Sequence, residues 1–264
     1  MSDRYALIGN PVAHSKSPAI HAEFARATGQ DLHYGLIEAP LDGFAAAVEQ
    51  FRAQGGKGLN VTLPFKEQAF RLSRHTSERA RAAQAVNTLR FEDGFGDNTD
   101  GIGLIRDLRE HLGMSLEGKA LLVLGAGGAA QGVVGALLEA GAARVSIANR
   151  TAARAESLAA RFPAVRACGY EALRGERFDI VVNATSAGLA DQAPPLPAGL
   201  LEHAALAYDM VYGRDTPFLR AARAAGVRAS DGLGMLVEQA AESFFVWRGV
   251  RPATRPVLEK LRGA

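Results

Sequence analysis

Short apolar runs alternate along almost the whole chain with stretches whose apolar residues recur at three- and four-residue intervals. The runs at 5–8, 33–37, 58–63, 88–91, 120–124, 144–148, 178–183, 205–210 and 227–229 predict strands. Between them, Phe44, Ala47, Val48 and Phe51 repeat at i, i+3, i+4, i+7 behind the cap-like Asp42. Ala155, Leu158, Ala159 and Phe162 do the same behind Thr151. Strand–helix alternation of this kind predicts an α/β fold of parallel sheets covered by helices. Two sheets fit better than one. The first half closes at Asp100, and Ile102, Ile105, Leu108 and Leu112 mark a helix before a glycine-rich turn, which places a domain junction near residue 101. The helical patterns at 235–247 and 254–261 suit either capping of the second sheet or a return to the first.

A length of 264 residues matches two domains, and 48% apolar with 22% charged residues is the composition of a globular protein with a full core. The net charge of +2, with basic residues scattered among acids, suits neither a nucleic-acid tract nor a polybasic membrane anchor. Cys168 is the only cysteine, so there is no internal disulfide and no four-cysteine zinc site, and no His/Cys/Asp cluster has metal-ligand spacing. No basic, apolar and cleavage regions open the chain in the order of a signal peptide, so a cytoplasmic enzyme is expected. The stretch 120–143 is apolar enough to raise the question of a membrane span. Its six glycines fit a strand, a tight turn and a helix instead.

That stretch contains Leu121-Leu-Val-Leu-Gly125-Ala126-Gly127-Gly128-Ala129-Ala130, the G-x-G-x-x-A form of a dinucleotide fingerprint, placed after a strand and opening a helix. The first glycine permits the turn, the second lets the backbone approach a pyrophosphate, and the small third residue lets helix pack on strand. The next strand ends in Asn149-Arg150-Thr151, with Arg154 one turn on, where an NAD site would carry an acid for the ribose hydroxyl. A planar guanidinium suits a 2′-phosphate, so NADP is the expected cofactor. Thr151 also reads as a helix N-cap.

Upstream, Asn60-Val-Thr62-Leu-Pro-Phe-Lys66 and Asp97-Asn-Thr-Asp100-Gly101 each put one titratable side chain at a strand end, among polar neighbours. An ammonium–carboxylate pair beside a dinucleotide site supplies what reduction of a carbonyl to an alcohol needs, a proton donor near a hydride donor. Lys66 sits in a first helical turn, where a cation is electrostatically misplaced. Asp100 reads equally as the N-cap of the following helix.

Together with Gly9-Asn-Pro-Val-Ala-His-Ser15-Lys-Ser17-Pro18, Ala85-Val-Asn87-Thr88, Asn183-Ala-Thr185-Ser186 and Asp231-Gly-Leu-Gly234-Met-Leu-Val-Glu-Gln239-Ala240, these strings closely resemble the shikimate dehydrogenase family over nearly the whole chain. The resemblance implies two parallel-sheet α/β domains, the second of Rossmann type, with the active site in the cleft between them. It implies that the C-terminal helices return to the first domain, giving a substrate domain of 1–101 plus 236–264 and an NADP domain of 102–235. The implied reaction is the reversible NADPH-dependent reduction of 3-dehydroshikimate to shikimate. Lys66 and Asp100 match the family's proton-transfer pair. Ser15 and Ser17 match its carboxylate-binding serines, although Ser17-Pro18 also reads as a helix N-cap. Asn60, Thr62, Asn87, Tyr212 and Gln239 match substrate ligands. The fingerprint residues Gly125 to Ala129, with Asn149, Arg150, Thr151, Arg154, Thr185, Met210 and Gly234, match cofactor ligands. A homodimer is compatible with this reading. Two alternatives are a quinate/shikimate dehydrogenase with dual cofactor use and a non-catalytic NADP-sensing regulator. The arginine pair speaks against the first, and retention of Lys66 and Asp100 against the second.

Overall fold

A computed structural model describes residues 2–263. The chain divides into two units, Met1–Gly103 with Leu236–Ala264, and Leu104–Met235. The first unit holds strands β1 (Asp3–Gly9), β2 (Leu32–Glu38), β3 (Gly56–Val61), β4 (His75–Thr76), β5 (Thr88–Arg90) and β6 (Phe95–Asp97), in sheet order β2-β1-β3-β5-β6-β4. Helices α1 (Ser17–Thr28), α2 (Phe44–Ala53), α3 (Lys66–Leu72) and α4 (Glu78–Ala83) connect them, and α5 (Asp100–Arg106) follows β6. Central β1 is buried from Tyr5 to Gly9, which is why it reads as an unbroken apolar run. Edge strand β2 buries only Tyr34. The sheet is parallel from β2 to β3; β5 runs antiparallel to β3, and residues 91–94 form a tight turn, with Gly94 at φ +76°, that sends β6 back antiparallel to β5.

The second unit holds β7 (Ala120–Leu124), β8 (Arg144–Ala148), β9 (Val165–Cys168), β10 (Ile180–Asn183), β11 (Leu206–Asp209) and β12 (Ala229–Asp231), in order β12-β11-β10-β7-β8-β9 and parallel throughout. This is the doubly wound dinucleotide-binding order. Its direction reverses between β7 and β10, which opens a crevice at their C-terminal ends. Helices α6 (Gly128–Glu139), α7 (Ala152–Ala159) and α8 (Pro217–Ala224) cover it. Alternate residues of β7 feed opposite cores: Leu121 and Val123 pack with Val133, Val134 and Ile147, while Leu122 and Leu124 pack with Val181 and Phe218.

From Leu236 onward the chain belongs to the first unit, through α9 (Leu233–Arg248) and α10 (Arg255–Arg262). The Trp247 indole donates to the Leu89 carbonyl at 3.0 Å, Arg248 pairs with Asp3, and Lys260 pairs with Glu23 at 2.6 Å. Gly103 on α5 admits α9 closely, since a Cβ there would stand 2.7 Å from that of Gln239.

Every predicted strand is present, with ends that differ by a few residues: 58–63 is Gly56–Val61, 178–183 is Ile180–Asn183, and 227–229 is displaced to Ala229–Asp231. The short strands β4, β6 and β9 were not predicted, because none carries an apolar run. Two expected caps are absent. The N-cap position of α2 is Gly43 rather than Asp42, and Ser17 is the first residue of α1, with Lys16 before it making no side-chain bond. Thr151 is at the N-cap of α7 but its side chain makes no capping bond. The 120–143 stretch is β7, the turn and α6, and among the described residues no helix is long and apolar enough to cross a membrane.

Candidate active site

Two strand ends in the first unit deliver the charged pair. After β3, a turn closed by the Phe65 N–H on the Thr62 carbonyl at 3.0 Å places Lys66 as the first residue of α3. After β6, Asn98 and Thr99 lead into Asp100, the first residue of α5. Lys66 Nζ donates to Asp100 Oδ2 at 2.5 Å, and the two side chains are only 13% and 8% exposed. Asn87 Nδ2 donates to Asp100 Oδ1 at 2.8 Å. Both carboxylate oxygens therefore hold side chains, and the Asp100 N–H is itself accepted by Asn98 Oδ1 at 3.1 Å. The carboxylate also answers the misplaced cation at the start of α3, because the dipole penalty on Lys66 is offset by an adjacent negative charge.

A polar network surrounds the pair. Asn87 Oδ1 accepts from the Thr99 N–H and the Thr88 hydroxyl, each at 2.9 Å. Asn60 Nδ2 donates to Thr88 Oγ1 at 3.1 Å and Ser243 Oγ at 2.9 Å, and Asn60 Oδ1 accepts from the Tyr34 phenol at 2.8 Å. Gln239 Nε2 donates to the Leu236 carbonyl at 2.9 Å, while its Oε1 accepts weakly, at 3.4 Å, from Asn87 and Thr99. Ser15 donates to Ser17 Oγ at 3.0 Å beside the start of α1. Thr62 is half-buried, with its methyl against Gly9. Asn60, Asn87, Gln239, Lys66 and Asp100 thus share one network. Tyr212 belongs to the second unit.

Tyr34, Thr88, Thr99 and Ser243 belong to the network without having been singled out in the sequence. Two of them carried a readable signal. Ser243 lies one helical turn beyond Gln239, and Thr99 adjoins Asp100.

His21 is buried behind this network, stacked on Tyr34 with ring centroids 4.1 Å apart, and neither ring nitrogen has a hydrogen-bond partner among the described residues. Burial lowers its pKa from 6.5 to about 3, opposed by Asn60. The unfolded chain therefore takes up a proton that the folded chain refuses, and the stability tied to His21 is lost as the pH falls below 6.5 toward 3. Going from about pH 7 to about pH 5 should remove about 2 kcal/mol through this group. Urea titrations should find that loss reduced by the same amount in His21→Phe; equal losses in both proteins would refute it.

In the second unit, β7 ends in Gly125 at φ +103°, where a Cβ would stand 3.1 Å from the Thr185 methyl and 3.2 Å from the Ala184 carbonyl. Gly127 is the extended N-cap of α6, and a Cβ on it would meet nothing within 4 Å. The opening N–H groups of α6 are surplus to its ladder, so this turn, bare of side chains at the exposed Gly127, fits a diphosphate. Asn149 Nδ2 donates to the Thr151 carbonyl at 2.9 Å, and Arg150, Thr151 and Arg154 are exposed. The first acid after β8 is Glu156, inside α7, so no carboxylate stands at the strand end. Arg150 lies near Tyr170, whose pKa burial raises and this guanidinium lowers. Thr185 donates to Asn183 Oδ1 at 2.7 Å, and the Met210 N–H to the Asn183 carbonyl at 3.0 Å. Gly234 has a packing reason of its own, since a Cβ there would collide with the Asp107 carboxylate, which accepts from Tyr208 at 2.6 Å.

Residues 7–89 match the family described as shikimate dehydrogenase substrate binding domain, 107–190 that of shikimate / quinate 5-dehydrogenase, and 232–262 that of shikimate 5′-dehydrogenase C-terminal domain. Shikimate dehydrogenase (NADP(+)) of Halorhodospira halophila is 59% identical over 99% of this chain and 99% of its own. The chain belongs to the shikimate dehydrogenase family. Among solved structures, an Ael1 enzyme from Pseudomonas putida is 55% identical, with a TM-score of 0.93 over 98% of each chain. The shikimate 5-dehydrogenase of Thermus thermophilus, solved with NADP(H) and shikimate, is 39% identical, with a TM-score of 0.88 over 98% of each chain. Lys66 and Asn87 fall within the first match, the Gly125 turn and Arg150 within the second, and Gln239 within the third; Asp100 lies between the first two.

Proposed function

We propose that this chain is a cytoplasmic enzyme that reversibly reduces 3-dehydroshikimate to shikimate with NADPH. The observation that carries the reading is the secluded Lys66–Asp100 pair, with Asn87 on its far oxygen, in a chain of this family. Substrate would bind to 1–101 plus 236–264 and cofactor to 102–235. The nicotinamide supplies or takes the hydride. In reduction the Lys66 ammonium gives a proton to the developing alkoxide at the substrate C3 oxygen, and in oxidation its amine takes the proton back. Asp100 holds the lysine in reach and balances its charge. Ser15 and Ser17 donate to the substrate carboxylate, which also gains from the N-terminal end of α1. Asn60, Thr62, Asn87, Tyr212 and Gln239 hold the ring hydroxyls and carboxylate, with Asn60 acting largely through the partners that already occupy its amide.

For the cofactor, the turn Gly125-Ala126-Gly127-Gly128-Ala129 holds the diphosphate. Asn149, Arg150, Thr151 and Arg154 hold the 2′-phosphate, and Thr185, Met210 and Gly234 line the nicotinamide end. Arg150→Ala should raise the NADPH Michaelis constant about tenfold, the worth of one charge-assisted bond, and leave NADH use nearly unchanged. Equal losses with both cofactors would reject the 2′-phosphate contact.

The deciding assay mixes purified protein with shikimate and NADP at alkaline pH and follows reduced-nicotinamide absorbance, with NAD and quinate in parallel. Turnover confined to shikimate and NADP upholds the reading. Comparable rates with NAD or quinate would point to a quinate/shikimate dehydrogenase, and silence of folded protein in every arm would overturn catalysis.

A further inference from the structure

The hydrogen bonds behind the charged pair run in one direction. The Tyr34 phenol donates to Asn60 Oδ1, Asn60 Nδ2 to Thr88 Oγ1, the Thr88 hydroxyl to Asn87 Oδ1, and Asn87 Nδ2 to Asp100 Oδ1, with successive lengths of 2.8, 3.1, 2.9 and 2.8 Å. Lys66 then closes on the other carboxylate oxygen. Each amide in this series accepts through its oxygen and donates through its nitrogen, so reversing one would set donor against donor or acceptor against acceptor at its neighbours.

Tyr34 is the fixed origin. It is the one buried residue of edge strand β2, and His21 stacks on its ring. Burial raises the phenol's pKa well above 10, with Ser17 the polar neighbour that opposes the shift, so the hydroxyl keeps its proton and remains a donor at working pH. His21 carries no charge there, and Asn60 is the phenol's hydrogen-bond acceptor.

We propose that Tyr34 is a positioning residue for the reaction, orienting the Asp100 carboxylate, and with it Lys66, through the relay Asn60–Thr88–Asn87. This rests on the function proposed above. Tyr34 touches no reacting atom. It acts on the Asn60 amide together with the Asn87 carbonyl, which accepts from Asn60 Nδ2 at 3.1 Å. Through Thr88 it acts on the Asn87 amide, whose oxygen the Thr99 N–H also holds. Ser17 beside it brings the carboxylate-binding serines to the same phenol.

The test is a cycle of Tyr34→Phe, Thr88→Val and the double variant, all close to isosteric. Each single change should lower kcat for shikimate oxidation about fivefold, the worth of one neutral hydrogen bond, and change the shikimate KM by less than about twofold. Because both interrupt one relay, the double variant should lose no more than the worse single. Melting temperatures that fall while kcat stays at the wild-type value would mean packing alone and overturn the proposal. So would multiplicative losses, which denote independent local roles.

A second readout needs no turnover. The rate of Lys66 acylation at one mildly alkaline pH, followed by peptide mass spectrometry against exposed Lys57, should differ from wild type by at least about twofold in both single variants. Unchanged Lys66 reactivity would overturn the relay. If wild-type protein fails to oxidise shikimate, the proposed activity falls, and the acylation rates still decide the relay.

Discussion

Lys66→Ala should lower the turnover number for shikimate oxidation about a thousandfold and move the shikimate KM far less, as expected when a group acting in the transition state is removed. The substitution deletes the proton acceptor. It also leaves Asp100, 8% exposed, without its cation and with the Asn87 amide still on its other oxygen. Lys66→Arg separates charge from proton transfer. It keeps a cation beside the carboxylate, but a guanidinium does not release its proton in this pH range, so oxidation should fail almost as badly. Steady-state kinetics on both variants, with circular dichroism to confirm folding, provide the check. Turnover of Lys66→Ala within about threefold of wild type would sink the assignment.

The second large effect is on stability. Arg79, on α4, donates through Nε to Asp97 Oδ1 at 2.8 Å and through its terminal nitrogen to Asp97 Oδ2 at 2.5 Å and Glu242 Oε1 at 3.0 Å. Arg251 donates to the other Glu242 oxygen at 2.5 Å. Burial alone would raise both carboxyl groups. The bonds to Arg79, Ser77 and Asn98 outweigh it at Asp97, and those to Arg251 and Arg79 do so at Glu242, so both sit below the ordinary carboxylate range. Arg79→Met should destabilise the protein by about 3 kcal/mol, the lower end for breaking a buried pair, because Arg79 is itself partly open to water.

The acid dependence follows from the sign of these shifts. Carboxylates with lowered folded pKa values add stability above their unfolded values and lose it as the pH falls through the folded ones. Wild-type protein should therefore weaken through the acidic carboxylate range. Arg79→Met should weaken less, because protonation relieves carboxylates that have lost their shared cation. Urea unfolding at neutral and acidic pH measures both effects. A variant within about 0.5 kcal/mol of wild type at neutral pH would refute the structural weight given to Arg79. The network also bears on the site, since Asp97 lies three residues before Asp100, and Glu242 shares α9 with Gln239 and Ser243.

Much of this molecule was legible in its sequence, for local reasons. An unbroken apolar run such as β1 or β7 has few alternatives to a strand buried on both faces, and Gly125 at φ +103° does what a fingerprint glycine is there to do. The charge at the end of β8 could be read from residue identity, because the choice between Arg150 and an acid needs no knowledge of neighbours. His75–Thr76 and Phe95–Asp97 became strands only because other backbone was available to pair with them, which no periodicity records. The caps expected at Asp42 and Ser17 failed because capping depends on the chain's entry angle as well as on a suitable side chain.

By itself, then, the sequence determined the apolar strands and their alternation with helices, the glycine turn after β7, the absence of an acid after β8, and the identities of Lys66 and Asp100. Those properties depend on residues close together in the chain. Only the tertiary structure decided that Lys66 and Asp100, 34 positions apart, bond at 2.5 Å, and that Tyr34, Thr88 and Ser243 stand behind Asn87. A hydrogen bond is directional and short. Which donor meets which acceptor therefore depends on how strands and helices pack, and sequence spacing does not carry that information.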